Sequence, residues 1–139
     1  MSETTTTDSV FTRMIKGELP IYKVYEDELT IAFIPLHPKA LAHVLVVPKL
    51  QVDQFFDLPD TDYRALMATV KKVALRMHQV VKSKRVGLEV FGMDVPHAHI
   101  HVIAFDTFKQ FVTNPNEDVP VNYELLKAMA EKLAFGDIK

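Results

Sequence analysis

Cysteine is absent from this chain of 139 residues, which excludes disulfide bridges, thiolate nucleophiles and cysteine-ligated zinc sites. A large excess of either charge is absent as well, because 16 basic residues stand against 18 acidic ones and the net charge is −2 with neutral histidines. Proteins that bind duplex nucleic acid usually carry a strongly basic surface, so we expect no duplex nucleic acid as a partner. A small phosphorylated ligand, by contrast, needs only a few local hydrogen-bond donors.

Long hydrophobic runs are also missing, since no stretch approaches the roughly 20 apolar residues that a membrane span requires. The start of the chain is polar and threonine-rich, without the basic and apolar segments of a secretory signal. We therefore expect a soluble, cytoplasmic protein with no membrane partner. The hydrophobic fraction of 48% predicts one globular domain over residues 10–139, after a flexible tail over residues 1–9. Within it, residues 106–139 would form a C-terminal extension with one helix.

The spacing of apolar residues predicts an α+β fold, in which helices pack on one face of a five-stranded antiparallel sheet. Strands are predicted over residues 22–25, 29–34, 43–47, 85–91 and 97–105. Helices are predicted over residues 11–19, 60–82 and 123–135, and a loop over 106–120. The long central helix would have Asp60 or Thr61 as its N-cap. The last helix would bury one apolar stripe: Leu125, Leu126, Met129 and Leu133.

Three of the six histidines alternate within five residues, at positions 97, 99 and 101. Successive side chains of a strand point to opposite faces, so the three imidazoles would share one face. The apolar residues between and after them would pack inward from the other face: Ala98, Ile100, Val102 and Ala104. The residues alone leave three interpretations open, namely a catalytic face that handles phosphate, a metal site of the His-x-His type, or chance histidines on a solvated strand.

Several motifs together resemble the histidine triad (HIT) family of nucleotide hydrolases and transferases. Residues 97–103 match the family's signature, in which three histidines alternate with apolar residues. Residues 43–49 match an upstream segment of a histidine, an apolar strand, proline and lysine, and residues 11–20 match the family's N-terminal phenylalanine segment. The resemblance covers residues 11–105, and it is specific because the order and spacing of these motifs agree.

The resemblance implies a protomer of this fold that pairs as a two-fold homodimer and binds a nucleoside phosphate, with a purine as the expected base. It places the nucleophile for attack at the α-phosphorus at His99, flanked by His97 and His101, and a fourth phosphate-side histidine at His43. It also implies that five apolar residues line the base pocket: Phe11, Met14, Leu19, Phe33 and Leu36. The family's transferases replace the third histidine by glutamine, so His101 favours the hydrolase branch.

Imidazole chemistry supports the same roles independently of the family. A neutral imidazole nitrogen attacks phosphorus without prior deprotonation, so no metal and no cofactor is required. The second ring nitrogen must keep its proton, held by an acceptor such as a backbone carbonyl, so that the lone pair faces the ligand. His101 and His43 are suited to donate to the phosphoryl oxygens. Imidazoles placed this close together titrate as a coupled set.

The chain departs from the family pattern near the expected ligand. The family usually has a ribose-binding aspartate at the position of Pro35, and side chains that donate to phosphate at those of Met93 and Asp94. We expect Asp94 to cap its turn or to point away, because an ionised carboxylate would repel phosphate. Residues 107–139 match no motif of the family.

The predicted function is hydrolysis of a nucleoside phosphoramidate, an aminoacyl-adenylate or a dinucleoside polyphosphate through a covalent nucleotidyl-histidine intermediate. One alternative is a metalloprotein in which the three alternating histidines, with Asp94 or His43, bind the metal. A second alternative is a nucleotide-binding dimer without catalytic activity, which the residues at Pro35 and Met93 make more plausible.

Overall fold

A computed structural model describes residues 7–135; residues 1–6 of the predicted tail and residues 136–139 lie outside the described residues. Five antiparallel strands form one sheet in the order β1-β2-β3-β5-β4. The strands are β1 Lys23–Glu26, β2 Thr30–Phe33, β3 Ala42–Pro48, β4 Arg85–Glu89 and β5 Ile100–Phe105. The helices are α1 Val10–Ile15, α2 Asp60–Val80, α3 Phe108–Val112 and α4 Tyr123–Leu133, with a 3-10 turn at Phe55–Asp57. The predicted α+β class and five-stranded sheet are confirmed.

The long helix α2 packs on one face of the sheet and forms the main core there. Its buried apolar residues recur at helical spacing: Leu66, Val70, Val73 and Met77. The predicted inward face of the histidine segment is confirmed, because four of its residues belong to this core: Ala98, Ile100, Val102 and Ala104. Neither α2 nor any other helix within residues 7–135 combines the length and apolarity needed to cross a membrane.

The opposite face of the sheet carries a smaller apolar cluster beneath α1. Phe11 of α1 packs there against four strand residues: Ile31, Phe33, Leu45 and Val47. Helix α3 lies at the other end of the same face, where the ring centroids of Phe105 and Phe111 are 4.8 Å apart. The prediction that all helices lie on one face is therefore wrong. Both ends of this second face are apolar, and each end is covered by a short helix that removes it from water.

The two long helices differ from the prediction in single residues. Pro59 precedes the first residue of α2, so the predicted N-cap at Asp60 or Thr61 is wrong. The proline ring holds the backbone at the φ angle with which the helix starts. In α4 the predicted burial of Leu125 is also wrong, because Leu126 faces the core and its neighbour lies about 100° further round the helix, towards solvent.

The two short helices begin at hydrogen-bonded caps that the sequence prediction did not use. Helix α3 lies inside the predicted loop, because Thr107 and Gln110 form a reciprocal capping box that stabilises its first turn. Helix α1 begins at Val10, and the hydroxyl of Ser9 accepts a hydrogen bond from the N–H of Thr12. Ser9 is also buried, so this residue belongs to the folded domain rather than to a tail.

Candidate active site

The three alternating histidines are buried on the sheet face that lies opposite α2. His97 and His99 precede β5, and only His101 belongs to the strand, so the predicted strand begins three residues too early. The segment is anchored instead to the loop after β3, because the N–H of Ala98 donates to the carbonyl of Val52 at 2.7 Å. The rings of His99 and His101 lie 5.1 Å apart between their centroids. The alternation therefore brings these imidazoles to one place, although most of the segment is not a strand.

The hydrogen bond of His99 fixes which of its ring nitrogens carries the proton. Nδ1 lies 2.7 Å from the carbonyl oxygen of His97, and a carbonyl oxygen only accepts, so Nδ1 donates. The lone pair of the neutral ring is then on Nε2. That atom is buried and makes no hydrogen bond. His99 thus has the arrangement that imidazole chemistry requires of a nucleophile.

His97 positions its neighbour and is itself fully engaged. Its Nε2 lies 2.8 Å from the carbonyl oxygen of Pro48, to which it donates, and its Nδ1 accepts from the hydroxyl of Ser9 at 2.6 Å. Burial lowers the pKa of His97, which keeps the ring neutral. Gln51 accepts from the backbone N–H of Ser9 at 2.8 Å and so completes the network. The sequence prediction missed Ser9 and Gln51; an N-cap serine before a helical pattern was the one signal for Ser9.

The rings of His43 and His101 are joined by a hydrogen bond in which His43 is the donor. The backbone N–H of Lys39 donates to Nδ1 of His43 at 3.1 Å, so the proton of this neutral ring is on Nε2. That Nε2–H lies 2.9 Å from Nδ1 of His101 and donates to it. The proton of His101 is consequently on its Nε2, which is buried and makes no hydrogen bond. His101 also stacks on Phe91, with ring centroids 5.0 Å apart and planes inclined by 6°.

Burial keeps this pair of rings uncharged at neutral pH. Burial, with smaller effects of the nearby His101 and Lys39, lowers the pKa of His43 to about 3. Burial, assisted by the neighbouring His99, lowers the pKa of His101 to about 4, although the carboxylates of Glu89 and Asp94 act in the opposite direction. The Nε2 atom of His99, which makes no hydrogen bond, therefore lies next to the neutral ring of His101, whose Nε2 carries a proton.

The carboxylate of Asp94 lies at the mouth of the site. Its Oδ1 accepts from the N–H of Val95 at 3.0 Å and lies 3.5 Å from Nε2 of His99. Of the two alternatives expected for Asp94, the hydrogen bond from Val95 agrees with a side chain that caps its own turn, and the short distance to His99 shows that it does not point away from the site. The distance to His99 exceeds that of a charge-assisted hydrogen bond. The Asp94 side chain is 60% exposed, which leaves it free to turn towards solvent.

The structure brings three of the five predicted pocket residues together. Phe11 contacts Phe33 with ring centroids 5.4 Å apart, and Met14 packs against the same cluster. The Phe11 ring also lies 5.0 Å from that of His99, so the apolar cluster adjoins the nucleophile. Leu19 and Leu36 are not part of the cluster, and Leu36 is 48% exposed.

The hydrogen bonds of the alternating histidines do not favour the alternative of a metal site. His97 uses both ring nitrogens in hydrogen bonds, so among the alternating histidines only His99 and His101 keep an unpartnered nitrogen. Within residues 7–135, no group of three histidine, aspartate or glutamate side chains is arranged to hold a metal ion. The three-histidine ligand set of that alternative is not assembled in this conformation.

Comparisons with known proteins agree on one family. The family model described as HIT domain matches residues 16–108, a range that contains His43 and the alternating histidines. An uncharacterised HIT-like protein of Borreliella burgdorferi is 32% identical over 103 residues, which cover 69% of this chain and 74% of that protein. A Schizosaccharomyces pombe protein named adenosine 5′-monophosphoramidase is 26% identical over 144 residues, which cover 90% of this chain and 95% of that protein.

A solved structure shows the same fold. The HIT-like protein of Bartonella henselae, described as involved in cell-cycle regulation, superposes on this chain with a TM-score of 0.80 at 24% identity. The superposition covers 94% of this chain and 97% of the other. The superposed share of this chain is therefore larger than the share that the family model matches.

Proposed function

The chain belongs to the HIT family, and we propose that it hydrolyses nucleoside 5′-phosphate derivatives through a covalent nucleotidyl intermediate on His99. Its substrates would be nucleoside phosphoramidates, aminoacyl-adenylates or dinucleoside polyphosphates. One observation carries the proposal. The Nδ1–H of His99 is held by the carbonyl of His97 at 2.7 Å, while its Nε2 is buried without a hydrogen bond. The name of the S. pombe relative, an adenosine 5′-monophosphoramidase, favours a phosphoramidate as the substrate.

In the first step, the Nε2 lone pair of His99 forms a bond to the α-phosphorus as the bond from phosphorus to the leaving nitrogen breaks. The electron pair of the broken bond leaves with the amine. The leaving nitrogen takes up a proton from solvent and departs as the amine. The Nε2–H of His101, on the neighbouring ring whose centroid is 5.1 Å away, keeps its proton and donates a hydrogen bond to a phosphoryl oxygen. The carboxylate of Asp94 lies 3.5 Å from the attacking nitrogen of His99, so it would repel a phosphate bound there. Because its side chain is exposed, it turns towards solvent when the phosphate binds.

In the second step, water attacks the phosphorus and releases a proton to solvent, which balances the proton taken up in the first step. The bond from phosphorus to Nε2 of His99 breaks, and its electron pair returns to the ring. The products are the nucleoside monophosphate and the free amine, and both histidines regain their starting states. His97 takes no proton in either step; through its carbonyl and its two hydrogen bonds it keeps His99 in one orientation.

The apolar cluster beside His99 supports a purine nucleoside as the ligand. Phe11, Met14 and Phe33 form an apolar surface next to the nucleophile, and a bicyclic base buries more area on such a surface than a monocyclic one. Pro35 follows β2 at the point where the family usually has a carboxylate for the ribose hydroxyls. The base and the phosphate would therefore provide most of the recognition.

The homodimer belongs to this proposal as well. Strand β4 lies at an edge of the sheet, and a free strand edge readily pairs with a second chain. Four large apolar side chains on or after β4 are exposed: Leu88, Val90, Phe91 and Met93. We propose that two copies pair through this edge. Sedimentation equilibrium of the full chain tests it, since a mass of one protomer over the micromolar range would overturn the pairing.

The experiment that tests the hydrolase function compares His99→Asn with the wild type on adenosine phosphoramidate. We expect turnover to fall by a factor on the order of 10³ or more, because an amide nitrogen has no lone pair for attack on phosphorus. His78→Asn, on the exposed side of α2, is the matched control and should keep wild-type turnover. Isothermal titration with AMP should show that His99→Asn still binds nucleotide.

Near-complete activity of His99→Asn would overturn the proposal. If the wild type bound AMP but turned over no phosphoramidate, adenylate or dinucleoside polyphosphate, the non-catalytic alternative would replace it. If activity were lost on dialysis against a chelator and restored by zinc, the metalloprotein alternative would replace it.

A further inference from the structure

Lys39 is a buried cation that the proposed mechanism leaves unexplained. Its side chain is only 5% exposed, whereas lysine is almost never fully buried without a partner. Removing an ammonium group from water is unfavourable unless an opposite charge compensates it. The partner is Glu89, whose Oε1 lies 3.2 Å from Nζ of Lys39. Burying this ion pair beside the histidines is unfavourable, so we ask what it does for the site.

The ion pair joins three segments around the His43–His101 pair. Lys39 lies in the loop between β2 and β3, and Glu89 lies in β4 directly opposite His101 in the sheet register. The ring of Phe111 in α3 covers the ammonium group, with its centroid 5.3 Å from Nζ. Ala40, the next residue of the loop, has a φ of 58°, a conformation that residues other than glycine seldom adopt. The loop is therefore held in one unusual conformation at this point.

The same loop supplies the hydrogen bond that orients the pair of histidines. The backbone N–H of Lys39 donates to Nδ1 of His43, and this donor sets the direction of the following hydrogen bond to His101. Because the side chain of Lys39 is tied to Glu89 across the sheet face, the backbone N–H of the same residue cannot move far from His43.

Charge adds to this geometry. The charged or titratable groups that face His101 come from every neighbouring segment: His43 in β3, Lys39 in the loop before it, Glu89 in β4, and Asp94 and His99 before β5. Lys39 opposes a proton on both His43 and His101, whereas Glu89 favours one on His101. The ammonium group thus opposes protonation of both rings, whereas the carboxylate favours protonation of His101 and has the larger effect of the two on that ring.

We propose that the Lys39–Glu89 ion pair is a positioning element of the site, which fixes the direction of the hydrogen bonds in the His43–His101 pair and adjusts the charge on its rings by two opposite effects. Neither residue contacts the reacting atoms in this account. The inference rests on the proposed hydrolase function for its kinetic consequence alone, since the charge state of the two rings is measurable without any substrate.

The test follows the ring ¹⁵N resonances of His43 and His101 against pH in the ligand-free full chain, for the wild type, Lys39→Met and Glu89→Gln. Lys39→Met should raise the titration midpoints of both rings by less than about one pH unit, because a nearby positive charge is removed while burial, the main cause of the low midpoints, remains. Glu89→Gln should shift the midpoint of His101 in the opposite direction. Lys82→Met, an exposed lysine outside the site, is the control and should leave both midpoints unchanged.

Unchanged midpoints in folded Lys39→Met, or shifts of the same sign in both variants, would overturn the proposal. If Lys39→Met does not fold, Glu89→Gln decides alone: a lower His101 midpoint supports the proposal and an equal or higher one overturns it. Turnover provides the second measurement. In Lys39→Met, kcat should fall while KM changes little, and Lys39→Arg should restore it. If the wild type showed no hydrolase activity, the proposed function would be refuted, but the ¹⁵N test of the ion pair would still be valid.

Discussion

The two faces of the sheet are both buried, but they differ in what they bury. The face under α2 is mainly apolar, and a buried polar contact there is the hydrogen bond between the hydroxyls of Thr30 and Thr69, at 2.7 Å. The opposite face buries four histidines. Within residues 7–135, the only buried side-chain nitrogen or oxygen atoms without a hydrogen bond are Nε2 of His99 and Nε2 of His101.

This difference separates stability from chemistry within one set of strands. A buried polar atom without a partner costs about 1–3 kcal/mol, so a fold retains such atoms only where other interactions hold them in place. The α2 face provides that stability through close apolar packing. The histidine face then keeps an acceptor on His99 and a donor on His101 unpaired, ready for a ligand. Alternation along residues 97–104 places the core residues of the α2 face between the histidines of the other face.

The largest expected effect is the loss of stability caused by a cavity under α2, and it tests whether the two faces are independent. Leu66→Ala should lower the free energy of unfolding by about 2–5 kcal/mol, because Leu66 is fully buried against the sheet. Turnover per folded molecule should stay close to that of the wild type, measured below the unfolding transition. Leu75→Ala on the exposed side of the same helix is the control, with an expected change within about 0.5 kcal/mol. A large loss of turnover per folded Leu66→Ala molecule would show that the faces are not independent.

On the histidine face we expect the opposite result, a large loss of turnover with a small loss of stability. His101→Ala should reduce kcat by about 10²–10³-fold, since it removes the donor beside the nucleophile, and should change the melting temperature far less than Leu66→Ala does. His78→Ala is the matched control, and steady-state kinetics with thermal unfolding give both quantities. An unimpaired kcat in His101→Ala would contradict the role given to this ring.

The smallest effect concerns the sugar. Matched ribo- and deoxyribonucleoside phosphoramidates should differ in kcat/KM by less than about 100-fold, because no carboxylate follows β2 at Pro35 to bind the ribose hydroxyls. Pro35→Asp should increase the preference for ribose. A wild-type preference above that value would show that another group reads the sugar.

Residue patterns predicted the separation of the faces but not the contacts that complete the site. Periodicity two along β5 identified which residues face α2, and the spacing of the histidines identified the other face. Ser9, Lys39 and Asp94 reach the site from segments whose conformation depends on tertiary hydrogen bonds, and periodicity carries no information about those. Helix α3 was missed because its five residues are too few for a helical pattern, and its capping box stabilises it locally.

The central claim is that Nε2 of His99 forms a bond to phosphorus, and a trapped intermediate tests it most directly. The full chain is mixed with adenosine phosphoramidate, quenched within milliseconds to seconds, digested and analysed by mass spectrometry under conditions that preserve bonds between phosphorus and nitrogen. We predict an adenylyl group on the peptide that contains His99, in the wild type and in slowed His101→Ala, and none in His99→Asn. Steady turnover with the adduct on another residue, or with the adduct still present in His99→Asn, would contradict the account.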